Sequence, residues 1–344
     1  MMRTTRFLAG FALIASVLAG PPTALAATPI PTHVYSPYFE MWTTDNMATI
    51  AQQSGAKYLT LAFLETTGKT SCTLAWNGSK TQTVATVPTP FAADIAGVRA
   101  NGGDVIPSFG GWSADQGGTE IGDSCKDVNS IAAAYEQVIT TYNVSRLDMD
   151  IEGRSLTKTD GIDRRNKAIK IVQQWATANS RPLTISYTLP TARNGLTSAS
   201  LFVLQNAVAN GVRIDLVTPM VFDYYDRAGT DMGDSAISAV TGLHAQLTTL
   251  LQGQGKTSVQ IWALEGAIIM NGLDDYRRKT ESTSVGDAID LRDFAVRNGM
   301  SVLSMWAIQR DNGGCPGSTG ANNCSGIMQG TWEFTNNLKG FTSP

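Results

Sequence analysis

Three carboxylates recur at every second position within one short segment of the chain. The segment carries Asp148, Asp150 and Glu152, separated by Leu147, Met149 and Ile151. Because the side chains of a β-strand point alternately to its two faces, the acids would share one face and the apolar residues the other. Carboxylates crowded on one face cannot all ionise, so the pKa of at least one should rise. A raised pKa suits a general acid that works near neutral pH, and the spacing therefore predicts a catalytic strand.

Two other interpretations of this acidic segment stay open. It could form an edge strand that faces solvent, although edge strands seldom carry an uninterrupted apolar counter-face bounded by a glycine such as Gly153. It could also hold a hard cation, because the pattern Asp-x-Asp-x-Glu offers oxygen ligands alone. We favour catalysis, and we expect neither a metal ion nor another cofactor.

The amino-terminal segment has the features of a secretory signal peptide. Two arginines precede an apolar run over residues 7–18, which is too short to span a bilayer, and small residues typical of a cleavage site end at Ala26. We therefore expect residues 1–26 to be removed. Residues 27–344 should form one catalytic domain that is secreted to the extracellular space and is not attached to a membrane.

Charge and histidine content exclude several classes of function. The chain has 26 Lys and Arg residues against 29 Asp and Glu residues, and a net charge of −3. No basic run appears, which argues against nucleic acid as a partner. His33 and His244 are the only histidines, too few for a multi-histidine zinc site and poor material for a Ser-His-Asp hydrolase. We expect a monomer whose partner is its substrate.

The four cysteines predict two disulfides. Export to an oxidising environment favours disulfides, and four cysteines allow three pairings. Cys315 and Cys324 flank a loop rich in Gly, Ser and Asn, so we expect them to pair, which leaves Cys72 for Cys125. The second pair would tie the loops after the second and third strands together.

Eight strand-like runs alternate with helical segments after the signal peptide. The predicted strands are His33–Phe39, Lys57–Leu64, Asp104–Phe109, Arg146–Glu152, Pro182–Leu189, Arg213–Phe222, Ser258–Glu265 and Ser301–Ile308. The predicted helices are Asp45–Gln53, Ala92–Ala100, Ser130–Tyr142, Ile162–Ala178, Ser198–Ala209, Ala236–Gln252, Val285–Arg297 and Thr331–Lys339. This alternation predicts an α/β fold, a single (β/α)8 TIM barrel. A doubly wound open sheet is the alternative, but no Gly-x-Gly-x-x-Gly follows the first strand.

The active site of such a barrel lies at the carboxyl ends of its strands. Aromatic side chains stand at the ends of several predicted strands, among them Tyr38, Trp112 and Trp306. Flat aromatic faces can stack on sugar rings, and acids combined with aromatics suggest glycoside hydrolysis. Successive acids on one strand face lie only about 7 Å apart, which leaves no separate nucleophile across a sugar ring. An N-acetyl group of the substrate could attack C1 instead, while a carboxylate stabilises the positive charge.

Four motifs in a fixed order make the chain resemble glycoside hydrolase family 18. The family's strand-four signature, Asp-x-x-Asp-x-Asp-x-Glu, is matched by residues 145–152. Its strand-three Ser-x-Gly-Gly is matched by residues 108–111, and its strand-six Met-x-Tyr-Asp by residues 220–223. Its strand-eight tryptophan is matched by Trp306. The resemblance covers essentially the whole chain after the signal peptide.

The resemblance implies a chitinase-type enzyme that cleaves β-1,4-linked N-acetylglucosamine polymers with retention of configuration. Its partners would be chitin or N-acetylglucosamine oligosaccharides. Glu152 would protonate the glycosidic oxygen and then activate water. Asp150 would orient the acetamido group while its carbonyl attacks C1, and Asp148 would share a proton with Asp150. Trp306 would form the floor of the sugar subsite.

Three positions depart from the family's pattern, one of them Ile151, which replaces a common aromatic and should face the helices. Ser145 replaces the first Asp of the signature, and Phe222 stands where a Tyr usually donates a hydrogen bond to the acetamido oxygen. Tyr224, two residues later on the same strand face, or Tyr187 on the fifth strand could supply that hydroxyl. The residues expected to bind substrate are Tyr38, Ser108, Gly110, Gly111, Trp112, Tyr187, Met220, Asp223, Tyr224 and Trp306.

Two alternative functions share this barrel. A non-catalytic, chitin-binding lectin would be expected to lose the general acid, so the presence of Glu152 favours an enzyme. An endo-β-N-acetylglucosaminidase that acts on glycoprotein glycans would use the same acids, and the shape of the cleft would have to distinguish it.

Overall fold

The structure, a computed structural model, describes residues 27–228, 231–276 and 281–343, and the predicted signal peptide lies outside these described residues. The strands are β1 (Val34–Tyr35), β2 (Tyr38–Glu40), β3 (Tyr58–Thr66), β4 (Leu74–Trp76), β5 (Asp104–Gly110), β6 (Arg146–Asp150), β7 (Thr184–Ala192), β8 (Gly195–Leu196), β9 (Leu216–Met220), β10 (Gly266–Met270), β11 (Gly272–Leu273), β12 (Ser282–Thr283) and β13 (Val302–Trp306). The helices are α1 (Met47–Ser54), α2 (Ala92–Ala100), α3 (Trp112–Gly117), α4 (Ile121–Ser124), α5 (Val128–Tyr142), α6 (Thr159–Ala178), α7 (Ser198–Ala209), α8 (Met232–Leu250), α9 (Ser258–Trp262), α10 (Val285–Asn298) and α11 (Glu333–Leu338). Among the described residues, no helix combines the length and the apolar character that a membrane span needs.

The parallel strands close into a barrel. They pair in the order β1, β13, β10, β9, β7, β6, β5, β3 and β2. β1 and β2 are two halves of one briefly interrupted strand: Val34 pairs with Val302 of β13, and Tyr38 pairs with Thr60 of β3. The two halves therefore join the ends of the sheet, and eight strand positions surround one interior. The predicted (β/α)8 barrel is confirmed.

Helix α5 illustrates how the local sequence sets the outer layer. Asp127 accepts a backbone N–H of the first turn at 2.7 Å, and Asn143 ends the helix in the left-handed conformation with φ 49°. Ile131, Tyr135 and Val138 recur at helical spacing and are fully buried. The helix thus packs one apolar stripe against the barrel strands and leaves its polar side to solvent.

The segment predicted as the seventh strand, Ser258–Glu265, is an error of the sequence analysis. Helix α9 occupies Ser258–Trp262, and the barrel strand follows at Gly266–Met270. A capping box starts the helix, because the Thr257 side chain accepts the N–H of Gln260 and the Gln260 side chain accepts the N–H of Thr257. The alternating apolar residues of this short segment fit either element, and the reciprocal hydrogen bonds favour the helix.

Both predicted disulfides are present. Cys72 bonds to Cys125 and joins the loop after β3 to the end of α4. Cys315 bonds to Cys324 and closes a loop after β13. The loop after β3 also returns as β4, which pairs antiparallel with β3.

Removing the Cys72–Cys125 bond should destabilise the protein more than removing the Cys315–Cys324 bond. Chain entropy assigns about 4 kcal/mol to a bond between cysteines 53 residues apart and about 3 kcal/mol to one between cysteines 9 residues apart. Thermal unfolding of the two double Cys→Ala variants tests this order. Peptide mapping under non-reducing conditions tests the pairing, which free thiols or a Cys72–Cys315 link would overturn.

Candidate active site

The acids lie along β6 and its extension, facing the barrel interior. β6 ends at Asp150, but Glu152 keeps an extended backbone with φ −131° and ψ −179°, so the alternation of side chains continues past the strand. The intervening Leu147, Met149 and Ile151 are buried in the main core between sheet and helices. The predicted strand, with acids on one face and apolar residues on the other, is therefore present.

Asp148 is saturated with hydroxyl donors. Tyr38 Oη and Ser108 Oγ donate to its Oδ2 at 2.7 and 2.6 Å. Ser186 Oγ and Thr188 Oγ1 both donate to its Oδ1 at 2.8 Å. Burial raises the pKa of Asp148, and the four donors oppose this rise because they favour the ionised carboxylate. A proton shared between Asp148 and Asp150 is therefore held more favourably by Asp150.

Asp150 lacks the donors that Asp148 has. Its side chain is buried, and its Oδ1 has no hydrogen-bond partner among the described residues. Burial raises the pKa of Asp150 well above its ordinary value, and the charges of Glu152, Asp148 and Asp115 raise it further. Because no donor among the described residues stabilises its ionised form, Asp150 is the acid best suited to hold a proton. The crowding of carboxylates that the sequence predicted adds to this rise, and burial is its largest cause.

Glu152 lies at the rim, half-buried. Burial raises the pKa of Glu152 to about 7, and the charges of Asp223 and Asp275 contribute to this rise. A backbone hydrogen bond from Trp112 opposes it. The backbone N–H of Glu152 donates to Oδ2 of Asp115. A carboxyl with a pKa near 7 can both deliver and recover a proton near neutral pH, as a general acid must.

Two glycines let the chain turn directly beside the acids. Gly110 has φ 99°, and a Cβ there would lie 2.1 Å from the backbone oxygen of Asp150. Gly111 has φ 81°, and a Cβ there would lie 2.5 Å from the ring of Phe63. No other residue fits either position. The turn places Trp112 at the rim with its side chain 60 % exposed.

Four aromatic residues, Tyr38, Trp42, Phe63 and Trp306, form what we call the aromatic floor. The Phe63 and Trp306 rings stack with centroids 5.6 Å apart and planes 10° apart. Tyr38 packs 5.6 Å from Trp306, and Trp42 lies 6.0 Å from Trp306 and 6.4 Å from Phe63. Trp42 is 44 % exposed, so the floor continues from the interior to the surface. Such a surface can stack on sugar rings.

The segment after β9 departs from the prediction. Met220 and Phe222 belong to the small apolar cluster inside the barrel. Asp223 has a left-handed backbone with φ 51°, which ends the alternation, so Tyr224 does not share a strand face with Phe222. The Tyr224 ring instead packs against the Arg193 guanidinium, 4.4 Å from the ring centroid, and its buried Oη has no hydrogen-bond partner among the described residues.

Tyr187 is not brought into the site. It pairs with Met149 on the face of the sheet that the helices cover, and its Oη donates to Oδ1 of Asn166 on α6 at 2.9 Å. Its strand neighbours Ser186 and Thr188 point inward, so alternation directs Tyr187 outward. The assignment of Tyr187 to substrate binding is therefore wrong.

Four side chains at this site were not predicted from the sequence: Trp42, Phe63, Asp115 and Arg146. Arg146 is buried on the inner face of β6 below the acids. Burial lowers the pKa of Arg146 to about 10, and the charges of Asp148 and Asp215 oppose this. Arg146 lies two residues before Asp148, so extending the period-two pattern toward the amino terminus would have identified it. No pattern marked Asp115, because its contact with Glu152 depends on the turn at the two glycines.

The geometry gives no support to the hard-cation interpretation of the acid strand. Within residues 27–228, 231–276 and 281–343, no three His, Cys, Asp or Glu side chains are arranged to hold a metal ion. Both carboxylate oxygens of Asp148 already accept hydroxyl hydrogen bonds.

Two relatives have similar sequences over most of this chain. The probable bifunctional chitinase/lysozyme of Escherichia coli is 31% identical over 300 residues, which cover 84% of this chain and 32% of that protein. Endochitinase 11 of Metarhizium anisopliae is 31% identical over 292 residues, which cover 82% of this chain and 53% of that protein. The chain thus spans about a third and about half of the lengths of these relatives.

A solved structure and a family profile extend the comparison. Active domain 2 of the chitinase from Pyrococcus furiosus has a TM-score of 0.78 and 28% sequence identity, covering 92% of this chain and 96% of that one. The profile of the glycosyl hydrolases family 18 matches residues 34–323, a range that includes the acid strand and the aromatic floor. The chain therefore belongs to glycosyl hydrolases family 18.

Proposed function

We propose that this protein is a chitinase-type glycoside hydrolase that cleaves β-1,4-linked N-acetylglucosamine polymers with retention of configuration. The observation that carries the proposal is the arrangement of three acids at alternate positions along β6 and its extension. Asp148 is held by four hydroxyls, Asp150 is buried without compensation, and Glu152 at the rim has a pKa of about 7. The similar proteins described above are named chitinases, and the Pyrococcus furiosus domain has been solved with chito-oligosaccharides.

In the first step, the substrate supplies its own nucleophile. Glu152 donates its proton to the glycosidic oxygen, while the acetamido carbonyl oxygen attacks C1 and the bond from C1 to the leaving sugar breaks. The resulting positive charge lies on a ring that includes the acetamido nitrogen. Asp150 accepts the acetamido N–H through its unprotonated oxygen, and the negative charge of Asp148 next to it stabilises the positive charge.

In the second step, Glu152 acts as a base. Its carboxylate takes a proton from water, the water oxygen bonds to C1, and the bond from C1 to the acetamido oxygen breaks. Two displacements at C1 give net retention. The acetamido group and protonated Glu152 are both regenerated, so the chain needs no other reactant.

Asp223 is suited to line the same subsite. Burial raises the pKa of Asp223 to about 7, and the charge of Asp275 adds to the rise. The Asp223 carboxyl accepts the backbone N–H of Asp275 at 3.2 Å, which links the segment after β9 to the segment after β11. A carboxyl of this pKa can donate or accept a hydrogen bond to a sugar near neutral pH.

Product analysis tests the proposed function. Purified protein would be incubated with a chitooligosaccharide series and, separately, with a high-mannose glycopeptide. We expect cleavage of the oligosaccharides with the β-anomer as first product by NMR, and no cleavage of the glycopeptide. Cleavage of the glycopeptide alone would identify an endo-β-N-acetylglucosaminidase. Binding without cleavage would identify a lectin.

We also propose that the protein acts outside the cell. Residues 1–26 have the pattern of a signal peptide, and two disulfides suit an oxidising environment.

A further inference from the structure

Asp115 on helix α3 lies directly behind the general acid. Its side chain is completely buried, and its Oδ2 accepts the backbone N–H of Glu152. Its Oδ1 has no hydrogen-bond partner among the described residues. A buried carboxylate is costly unless it is paired, so its presence at this position calls for a role.

The hydrogen bonds of the β5–β6 ladder show what this carboxylate replaces. Gly110 pairs with Asp150, and the N–H of Gly111 donates to the Asp150 carbonyl at 3.1 Å. A continuing parallel ladder would offer the Gly111 carbonyl to the N–H of Glu152. That carbonyl instead accepts the N–H of Asp115 at 3.0 Å, because α3 begins there. The backbone N–H of Asp115 thus occupies the Gly111 carbonyl, and the Asp115 side chain provides the Glu152 N–H with another acceptor.

The other side of the acid-bearing segment is fixed by ordinary sheet pairing. The N–H of Ile151 donates to the carbonyl of Thr188 on β7 at 3.0 Å. Glu152 lies one residue beyond this last sheet hydrogen bond. Its backbone N–H donates to the Asp115 carboxyl, and this hydrogen bond links the Glu152 backbone to the rest of the barrel.

We propose that Asp115 is a positioning residue that holds the backbone of Glu152 so that its carboxyl reaches the glycosidic oxygen. This inference rests on the proposed function of Glu152 as general acid. Burial raises the pKa of Asp115 well above its ordinary value, the charge of Glu120 adds to the rise, and the hydrogen bond from the backbone N–H of Glu152 opposes it because it favours the ionised carboxylate.

Two variants of similar size separate positioning from packing. Asp115→Asn keeps an oxygen that can accept the Glu152 N–H, whereas Asp115→Leu has nearly the same shape and no acceptor. We expect kcat on a chitooligosaccharide to fall about tenfold in Asp115→Leu, the scale of a small misplacement of a reacting group, with KM nearly unchanged. In Asp115→Asn, kcat should stay close to that of the wild type. Asp115→Ala serves if the Leu variant does not fold.

Each outcome of this experiment decides the proposal. A folded Leu or Ala variant with wild-type kcat would overturn it, and so would an Asn variant as slow as the Leu variant. If neither apolar variant folds while Asp115→Asn does, Asp115 has a role in stability and the positioning role is rejected. A wild type that cleaves no chitooligosaccharide would reject the proposed function itself, whereas an active wild type with an inactive Glu152→Gln would leave that function standing.

Discussion

Replacing Glu152 with Gln should lower turnover of chitooligosaccharides by at least ~10²-fold, the typical contribution of general acid catalysis. The amide has the shape of the carboxyl but cannot deliver a proton to the glycosidic oxygen. Binding should remain, because the aromatic floor and Asp150 are untouched. Steady-state kinetics and calorimetric titration with the same oligosaccharide measure the two effects separately.

Glu136→Gln is the matched control for this variant. Glu136 lies on the outer helix α5, away from the site, so the same chemical change there should leave turnover unaltered. Wild-type turnover in Glu152→Gln would contradict the assignment. The pKa of about 7 for Glu152 adds a second signature. Because the first step needs protonated Glu152, kcat/KM should fall as pH rises through about 7, towards tenfold for each further unit.

Tyr224→Phe should lower turnover by about ten- to a hundredfold, the scale of one lost hydrogen-bond donor to a developing charge. Phe222 cannot donate a hydrogen bond to the acetamido oxygen, so another hydroxyl must hold it in the geometry for attack on C1. The Tyr224 hydroxyl is buried beside the Arg193 guanidinium and has no partner among the described residues, so its ring must turn toward the cleft to bring the hydroxyl to the acetamido oxygen. Its removal should therefore change the melting temperature little.

Tyr187→Phe provides the contrast for Tyr224→Phe. The Tyr187 hydroxyl bonds to Asn166 on the helix side of the sheet, so its loss leaves a buried acceptor unpaired at a cost of about 1 kcal/mol or more. We expect lower stability with unchanged turnover. Undiminished turnover in Tyr224→Phe would show that a different donor serves the acetamido group, or that the acetamido group is not the nucleophile.

The parts of the site that follow from strand periodicity could be predicted. The alternation of acids and apolar residues placed Asp148 and Asp150 on the inner face, and the structure has them there. Gly110 and Gly111 were identified through the Ser-x-Gly-Gly motif of the family, but the turn that they form was not predicted. Strand alternation is a local pattern, whereas the need for glycine at 110 and 111 arises from contacts with Asp150 and Phe63, which are distant in the sequence.

The features that the sequence analysis missed depend on register or on backbone turns. Tyr187 was placed on the wrong face because its register with Met149 is a long-range property. Tyr224 was placed on a strand face that ends one residue earlier, at the left-handed Asp223. Asp115 reaches Glu152 only because α3 folds back after a turn. Each of these contacts joins segments whose relative position a single sequence does not state.

The split first strand has a consequence for how the molecule is made. β1 pairs with β13 near the opposite end of the chain, and His33 contacts Met300, 267 residues away, through a 2.7 Å hydrogen bond. Contacts of such sequence separation form slowly, because a long loop must close first. During synthesis, β1 therefore stays without its partner until β13 emerges. Until then the sheet has two open edges that can pair with other chains, and only a chain that extends through β13 can close the barrel.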